Sequence, residues 1–261
     1  MQLYTHTLPS GAKLTGYLRD ETNEMPAFNI RPAMLILPGG GYAFCSAREA
    51  DPIAMQFLQA GYQTFVLEYT CAHTPEQAPL RWQPLIDAAG AILHLRRNAA
   101  KLRLDPFKIA VCGFSAGGHL AASTAILWDA APVQKALGIT AEEARPDAVV
   151  LGYPVITSGI KTHGGSIANL AGDDTALQAI FSLENQVRGD LPPFFIWHTV
   201  ADQAVPGKLA AAGQRPDRKP RALRAAPFHP RRAWLPHLHA GGQHPQPPQR
   251  RLGVPVHRLA G

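Results

Sequence analysis

Short apolar runs alternate along this chain with longer segments whose apolar residues are spaced for helices. The runs predict strands at residues 14–18, 34–37, 64–69, 108–112, 148–151 and 194–198, with the first at a sheet edge. Helical spacing predicts helices at residues 51–60, 84–97 and 118–127 between them. Strands and helices that alternate in this way favour an α/β fold with a doubly wound, mostly parallel sheet.

The turn after the predicted strand at 108–112 reads Gly113-Phe114-Ser115-Ala116-Gly117 and leads into a predicted helix. A strand that turns sharply into a helix exposes the middle side chain at its tip, and the two glycines avoid collisions across the turn. The free N–H groups at the helix start favour developing negative charge. The pattern therefore predicts that Ser115 is the nucleophile of a serine hydrolase.

A glycine-rich loop, P-G-G-G-Y at residues 38–42, follows the predicted strand at 34–37. A simple turn and a phosphate-binding loop are the alternatives, but no Lys-Ser or Lys-Thr pair follows, which argues against the phosphate loop. Backbone N–H groups in such a loop can stabilise the oxyanion that forms during ester cleavage. We therefore expect Gly40, Gly41 and Ala116 to form an oxyanion hole.

An aspartate, Asp202, follows the predicted strand at 194–198 in the stretch V-A-D-Q-A-V-P. A lone aspartate in a loop is often a turn residue. The acid of a hydrolase triad, however, lies in a loop after a late strand, downstream of the serine. We therefore predict that Asp202 is the catalytic acid that orients a histidine.

Seven stretches between residues 37 and 206 resemble the esterase branch of the α/β-hydrolase superfamily, which includes acetyl esterases and acetyl-xylan esterases. They read L-P-G-G-G-Y, S-A-R-E-A-D-P, G-Y-Q-T-F-V-L-E-Y, G-F-S-A-G-G-H-L-A, G-Y-P-V, S-L-E-N-Q-V and I-W-H-T-V-A-D-Q-A-V-P. The family loop often reads H-G-G-G, and Pro38 replaces its histidine here, which is a common variant. The resemblance implies an α/β-hydrolase fold that cleaves small acyl esters, with acetylated carbohydrates as candidate substrates, by a Ser-Asp-His mechanism. Residues 156–187 are expected to form a small cap-like insertion over the site.

The chain changes character after Pro206. Residues 207–261 hold 11 basic residues and one acidic residue, whereas the preceding 206 residues hold 14 basic and 18 acidic residues, a net charge of −4. The tail also holds nine of the 24 prolines and has no helical or strand periodicity. We predict an incomplete α/β-hydrolase domain at 1–206, lacking the last strand and helix, and a non-native, disordered tail at 207–261.

Two interpretations of the tail differ in what they imply. It could be a basic arm for nucleic acid or acidic surfaces, or it could be a frameshifted translation. Codon degeneracy favours the frameshift, because residues 207–212 read one base later can encode E-N-S-L-L-L, and the resembling family continues V-P-x-E-N-S-L-L. Residues 231–234 can likewise encode G-V-H-G, and the family places its catalytic histidine in G-x-H-G.

The catalytic histidine is therefore expected to be encoded but not translated in this reading frame. The tail histidines lie among Pro, Gln and Arg, outside the G-x-H-G context; they are His229, His237, His239, His244 and His257. Two histidines outside the tail, His119 just past the elbow and His198 before Asp202, are expected to be structural. The alternative function is that of an inactive hydrolase-fold binding protein whose basic tail contacts nucleic acid.

Composition indicates the size of the core and the compartment in which the protein is expected. The hydrophobic content of 46% supports a sizeable core, and the N-terminal 15 residues are too polar for a signal peptide. Three cysteines, Cys45, Cys71 and Cys112, are an odd number without metal-like spacing, so we expect reduced thiols in a cytoplasmic protein. We expect a small-molecule ester substrate, no cofactor, no metal, and neither nucleic acid nor a membrane as partner.

The frameshift hypothesis predicts the outcome of resequencing the gene across the codons for residues 205–208. A corrected gene should encode V-P-x-E-N-S at this point and G-x-H-G further on, because the shifted frame carries both stretches. A gene that confirms the sequence as it stands would refute the hypothesis.

Overall fold

The computed structural model describes residues 1–139, 142–159, 162–199 and 202. All of them belong to the first of the two units into which the chain divides, Met1–Ala225. The domain boundary predicted at Pro206, the tail, and the last strand and helix that the sequence is predicted to lack all concern residues outside the described part.

The described residues form one seven-stranded sheet in the order β1-β2-β4-β3-β5-β6-β7. The neighbouring pairs among β3 to β7 are parallel, whereas β2 is antiparallel to both β1 and β4. The prediction of a doubly wound, mostly parallel α/β sheet is therefore confirmed. The strands are β1 (Gln2–Thr7), β2 (Lys13–Leu18), β3 (Arg31–Leu37), β4 (Gln63–Glu68), β5 (Leu104–Phe114), β6 (Ala148–Gly152) and β7 (Phe194–Trp197).

Seven α-helices connect or flank these strands in the described residues. The predicted helices correspond closely to α1, α2 and α4, and the other four are short. The helices are α1 (Asp51–Gln59), α2 (Gln83–Arg97), α3 (Ala99–Leu102), α4 (Ser115–Ile126), α5 (Ala131–Leu137), α6 (Gly164–Ala171) and α7 (Thr175–Ile180).

Strand β3 shows why the sheet is covered on both faces. Its last residues are fully buried and apolar, and successive side chains of a strand point to opposite faces. Met34 and Ile36 pack in the same cluster as Ala54 of α1, whereas Leu35 and Leu37 pack in the larger cluster that contains residues of α2 and α4. A continuous apolar run of this kind is what a strand buried on both faces requires.

The first strand was not predicted, and the assignment of residues 14–18 to the sheet edge was wrong. β1 pairs antiparallel with β2 and lies outside it in the sheet. Its sequence gives a weak signal because only Tyr4 and His6 are partly buried. The Tyr4 ring packs edge-on against Phe65 at 6.4 Å, and His6 stacks on His94 at 3.7 Å.

Arg96 joins the end of α2 to the loop before β6 and to β5. Its guanidinium donates to the Pro106 carbonyl and to the Asp147 carboxylate, both at 2.9 Å, and also to the carbonyls of Glu143 and Arg145. The same Asp147 oxygen accepts the Ile109 amide at 2.8 Å. Only 17% of the Arg96 side chain is exposed, so solvent weakens these bonds little.

We therefore expect the substitution Arg96→Lys to lower the free energy of unfolding by about 1–3 kcal/mol, because an ammonium group cannot reproduce the forked set of bonds. Urea denaturation would measure the change. Arg97→Lys is the matched control, since the Arg97–Glu143 pair is about half exposed on both sides and should contribute little. Equal losses in the two variants would contradict this account.

Candidate active site

The turn between β5 and α4 holds Ser115 in a strained backbone conformation. Its φ of +51° lies in the left-handed region, which non-glycine residues rarely adopt. A Cβ on Gly113 would lie 2.1 Å from the Gly117 carbonyl oxygen, and a Cβ on Gly117 would lie 2.1 Å from the carbonyl oxygen of Leu37. Both glycines are thus required by backbone contacts, as the G-x-S-x-G pattern predicts.

The glycine-rich loop lies directly against this turn. Strands β3 and β5 are parallel neighbours with Leu37 opposite Gly113, so the residues that follow them meet at one edge of the sheet. A Cβ on Gly39 would lie 3.0 Å from the Ser115 Cβ and 2.8 Å from the Phe114 carbonyl oxygen. The structure therefore brings together two of the three sequence motifs.

The amides of the loop differ in whether a protein group already uses them. The Gly39 amide donates to the Glu49 carboxylate at 2.7 Å. Among the described residues, no protein acceptor takes the amides of Gly40 and Gly41. Ala116 lies in the first turn of α4, where amides have no intrahelical acceptor. The geometry leaves available the donors that the sequence predicts, and their catalytic role stays a prediction.

Asp202 lies five positions beyond the end of β7, in a half-buried position. Its amide donates to the Thr199 carbonyl at 3.3 Å. The carboxyl ends of β5, β6 and β7 face the same edge of the sheet because these strands are parallel. Asp202 therefore comes after β7 at the edge of the sheet where a triad acid is expected. Residues 200, 201 and 203 lie outside the described part of the chain.

His119 is a buried structural residue, as expected. It is fully buried, its Nε2 donates to the Phe181 carbonyl at 2.9 Å, and its Nδ1 accepts the Tyr42 hydroxyl at 2.8 Å. Burial lowers the pKa of His119 from 6.5 to about 4, although the bond to Phe181 acts in the opposite direction. With both ring nitrogens occupied, the imidazole cannot accept a proton from Ser115. It instead anchors Tyr42, the last residue of the glycine-rich loop.

Helix α6 of the predicted cap packs against the glycine-rich loop. The Asn169 side chain donates to the Gly41 carbonyl at 2.9 Å. His163, the N-cap of α6, accepts the Ser166 amide through Nδ1, and its Cε1 would lie 3.8 Å from a Cβ on Gly41. Sequence reasoning assigned residues 156–187 to a cap but did not single out these side chains, since only their contact with the loop marks them.

Sequence reasoning also missed Glu49, a carboxylate that is 5% exposed beneath the loop. One oxygen accepts the Gly39 amide, and the other accepts the Tyr153 hydroxyl at 2.7 Å. The available signal was a charged residue within S-A-R-E-A-D-P, the stretch between the glycine-rich loop and α1.

Three further features of the described residues concern metal binding, membrane-spanning helices and cysteine pairing. No group of three or more His, Cys, Asp or Glu side chains within them is arranged to hold a metal ion. None of the helices in the same residues combines the length and apolarity needed to cross a bilayer. Cys45, Cys71 and Cys112 are free thiols, and Cys112 is buried in the core, as its position in an apolar run predicts.

Comparison with known proteins identifies the family. The BD-FAE family matches residues 23–212, which is most of the chain. The protein belongs to this family and, with it, to the esterase branch of the α/β-hydrolases. The match begins before the first resembling stretch and ends a few residues beyond Pro206.

Two curated relatives are similar to this chain over part of their own length. The chain is 42% identical over 179 residues to endo-1,4-beta-xylanase B of Butyrivibrio fibrisolvens, covering 67% of this chain and 28% of that protein. It is 29% identical over 181 residues to the acetylxylan esterase of Xylanibacter ruminicola, covering 67% of this chain and 34% of that protein. The chain thus spans about a third of the length of these relatives.

Solved structures agree with the fold. An acetyl ester-xyloside bifunctional hydrolase from Caldicellulosiruptor lactoaceticus matches with a TM-score of 0.65 and 33% identity, covering 78% of this chain and 72% of that one. The carboxylesterase Cest-2923 from Lactobacillus plantarum matches with a TM-score of 0.70 and 26% identity, covering 81% and 77%. The protein therefore has the α/β-hydrolase fold and a carboxylic-ester hydrolase ancestry.

The buried state of His119 predicts a pH dependence of stability. Its folded-state pKa of about 4 lies below the 6.5 of an exposed histidine, so the unfolded chain binds a proton first as the pH falls. Its stabilising contribution is complete above pH 6.5 and decreases toward pH 4, by up to about 3 kcal/mol. We expect His119→Gln to remove this part of the dependence.

Urea denaturation at several pH values between 7 and 4 would measure the effect. His73→Gln is the matched control, because it replaces a histidine that is exposed rather than buried. Identical slopes for the parent chain and His119→Gln would show that the burial of His119 does not set its protonation.

Proposed function

We propose that this chain carries the catalytic body of a serine carboxylic-ester hydrolase that acts on small acyl esters. The observation that supports this most strongly is the strained Ser115 backbone with the glycine-rich loop packed against it. A serine in the left-handed region at a strand-to-helix turn is the arrangement of a hydrolase nucleophile. Strain of this kind costs about 1–3 kcal/mol and persists where function requires the geometry.

In the proposed reaction, Ser115 Oγ attacks the ester carbonyl and the alcohol leaves, which gives an acyl-enzyme that water then hydrolyses. The amides of Gly40, Gly41 and Ala116 donate to the oxyanion of each tetrahedral intermediate. Loss of one such donor typically lowers kcat by about 10²–10³. Asp202 orients the histidine that takes the Ser115 proton and returns it to the leaving alcohol.

The chain as translated has no histidine in the G-x-H-G context that the resembling family uses. His119 is occupied on both ring nitrogens, and the neutral form of His163 that accepts the Ser166 amide at Nδ1 carries its proton on Nε2. Neither is therefore arranged as a base for Ser115. We propose that the base is the histidine of the shifted G-V-H-G stretch, and that the chain with its present tail keeps only residual activity, which oxyanion stabilisation and binding can supply.

Acetylated carbohydrates are the substrate class that we propose. The support comes from the relatives, which include an acetylxylan esterase and an acetyl ester-xyloside hydrolase. The cap contributes polar groups next to the loop, the amide of Asn169 and the ring of His163, which suit an alcohol partner rich in hydroxyl groups.

In the frame-corrected chain, which carries the general base, we expect Ser115→Ala to abolish the hydrolysis of p-nitrophenyl acetate above the background rate, because no other group replaces the nucleophile. Initial rates by absorbance would measure it. Ser123→Ala is the matched control: Ser123 lies in the same helix, and its hydroxyl only bonds the His119 carbonyl. Equal rates in the frame-corrected chain and in its Ser115→Ala variant would contradict the proposal.

A frame-corrected chain should raise kcat by about 10²–10⁴ over the present one, since it restores a general base. Asp202→Asn in the corrected chain should remove most of that gain. A corrected chain without esterase activity, or a present chain that binds DNA with a steep dependence on salt, would favour the binding-protein alternative.

A further inference from the structure

Glu49 is a buried charge in a place where a neutral residue would be expected. It ends a short 3-10 turn, Ala47–Glu49, just before α1. Both carboxylate oxygens are used, one by the Gly39 amide and one by the Tyr153 hydroxyl, each at 2.7 Å. The guanidinium of Arg48 is 3.7 Å away, but its side chain is 86% exposed. Burial of a carboxylate is costly unless its bonds are satisfied, so these two bonds keep Glu49 in place.

The bond to Gly39 acts at the base of the oxyanion loop. A Cβ on Gly39 would lie 3.0 Å from the Ser115 Cβ, and the two predicted oxyanion donors follow Gly39 directly. Gly40 and Gly41 have φ values of +133° and +67°. Glycines have more backbone freedom than other residues, so a loop of three needs an external group to select one conformation.

The bond to Tyr153 ties Glu49 to the other side of the nucleophile strand. Tyr153 follows β6 and has a φ of +36°, again in the left-handed region. Its ring packs 5.8 Å from Phe114 and 5.9 Å from Trp197. Because β5 lies between β3 and β6, the Gly39–Glu49–Tyr153 bridge crosses the strand that ends just before Ser115.

We propose that Glu49 is a positioning residue that holds the oxyanion loop against the Ser115 turn by joining the ends of β3 and β6 across β5. The inference deepens the proposed function, since a positioned oxyanion loop serves catalysis only if Ser115 cleaves esters. Glu49 acts through Gly39. Because the Gly39 amide already donates to Glu49, the proposed oxyanion donors are the amides of Gly40, Gly41 and Ala116.

In the full chain, we expect Glu49→Ala to lower kcat for p-nitrophenyl acetate about tenfold or more while KM changes less than about twofold, because misplaced donors affect the transition state and not substrate binding. Glu49→Gln keeps an acceptor for Gly39 and should lose less. Tyr153→Phe removes only the second bond and should fall between the parent and Glu49→Ala. The matched control is Glu68→Gln, at the exposed end of β4, which should leave kcat unchanged.

A second readout does not depend on ester cleavage. In ¹⁵N-labelled protein, Glu49→Ala and Glu49→Gln should shift the amide signals of Gly40 and Gly41, and Glu49→Ala should accelerate exchange of the Gly39 amide at least about tenfold. Unchanged Gly40 and Gly41 signals in a folded Glu49 variant would overturn the proposal. A lower unfolding temperature with unchanged kcat would overturn it too, because Glu49 would then stabilise the fold without affecting catalysis.

The two proposals fail in different ways. A frame-corrected chain without Ser115-dependent hydrolysis would contradict the proposed function, and the amide signals would still decide whether Glu49 positions the loop. Should Glu49→Ala fail to fold, Glu49→Gln and Tyr153→Phe carry the same test with smaller expected changes.

Discussion

The close contact of backbone carbonyls around the β5–α4 turn is the constraint on which the rest of the site depends. The Leu37 oxygen would lie 2.1 Å from any Cβ at residue 117, and the Gly117 oxygen equally close to any Cβ at residue 113. Only glycine fits at both positions. This packing brings the end of β3 onto the start of α4 and forces Ser115 into its left-handed conformation. Ser115 and the glycine-rich loop are thereby placed by backbone sterics before any side chain contributes.

Side chains then stabilise the loop from several directions. The Tyr69 hydroxyl donates to the Pro38 carbonyl at 2.6 Å, Glu49 accepts the Gly39 amide, and His119 holds Tyr42 at the far end. Asn169 of α6 adds a bond to the Gly41 carbonyl. These contacts come from different parts of the chain, so the loop is held by residues of the sheet and of the helices together. A loop held in this way has little freedom left to lose when a substrate binds.

The sequence predicts the elements whose determinants are local and misses those whose determinants are distant. The apolar run of β3 and the glycines around Ser115 specify their structure within a few residues, and both predictions are confirmed. β1 escaped prediction because only Tyr4 and His6 of its six residues are partly buried. His119 could be predicted to be structural from its place in a helix, but its hydrogen bond to the Phe181 carbonyl joins residues 62 positions apart, which no local pattern reveals.

Glu49 illustrates the same limit within the candidate site. Glu49 joins the ends of β3 and β6, and no pattern near residue 49 shows that β5 separates those two strands in the sheet. Asp202 is the opposite case: its position after a late strand predicts its role, and its neighbours on both sides lie outside the described residues. The proposed base depends on the reading frame of the gene, which no folded structure reports.

The most direct test of the central claim is peptide mapping by mass spectrometry after the full chain reacts with p-nitrophenyl acetate. Without a general base both steps are slow, but p-nitrophenolate is a far better leaving group than the Ser115 alkoxide, so deacylation is the slower step. The account therefore predicts that an acetyl group accumulates on the peptide that contains Ser115 and not on the Ser115→Ala variant. Acetylation confined to surface lysines, with the Ser115 peptide unmodified, would contradict the assignment of Ser115 as the nucleophile.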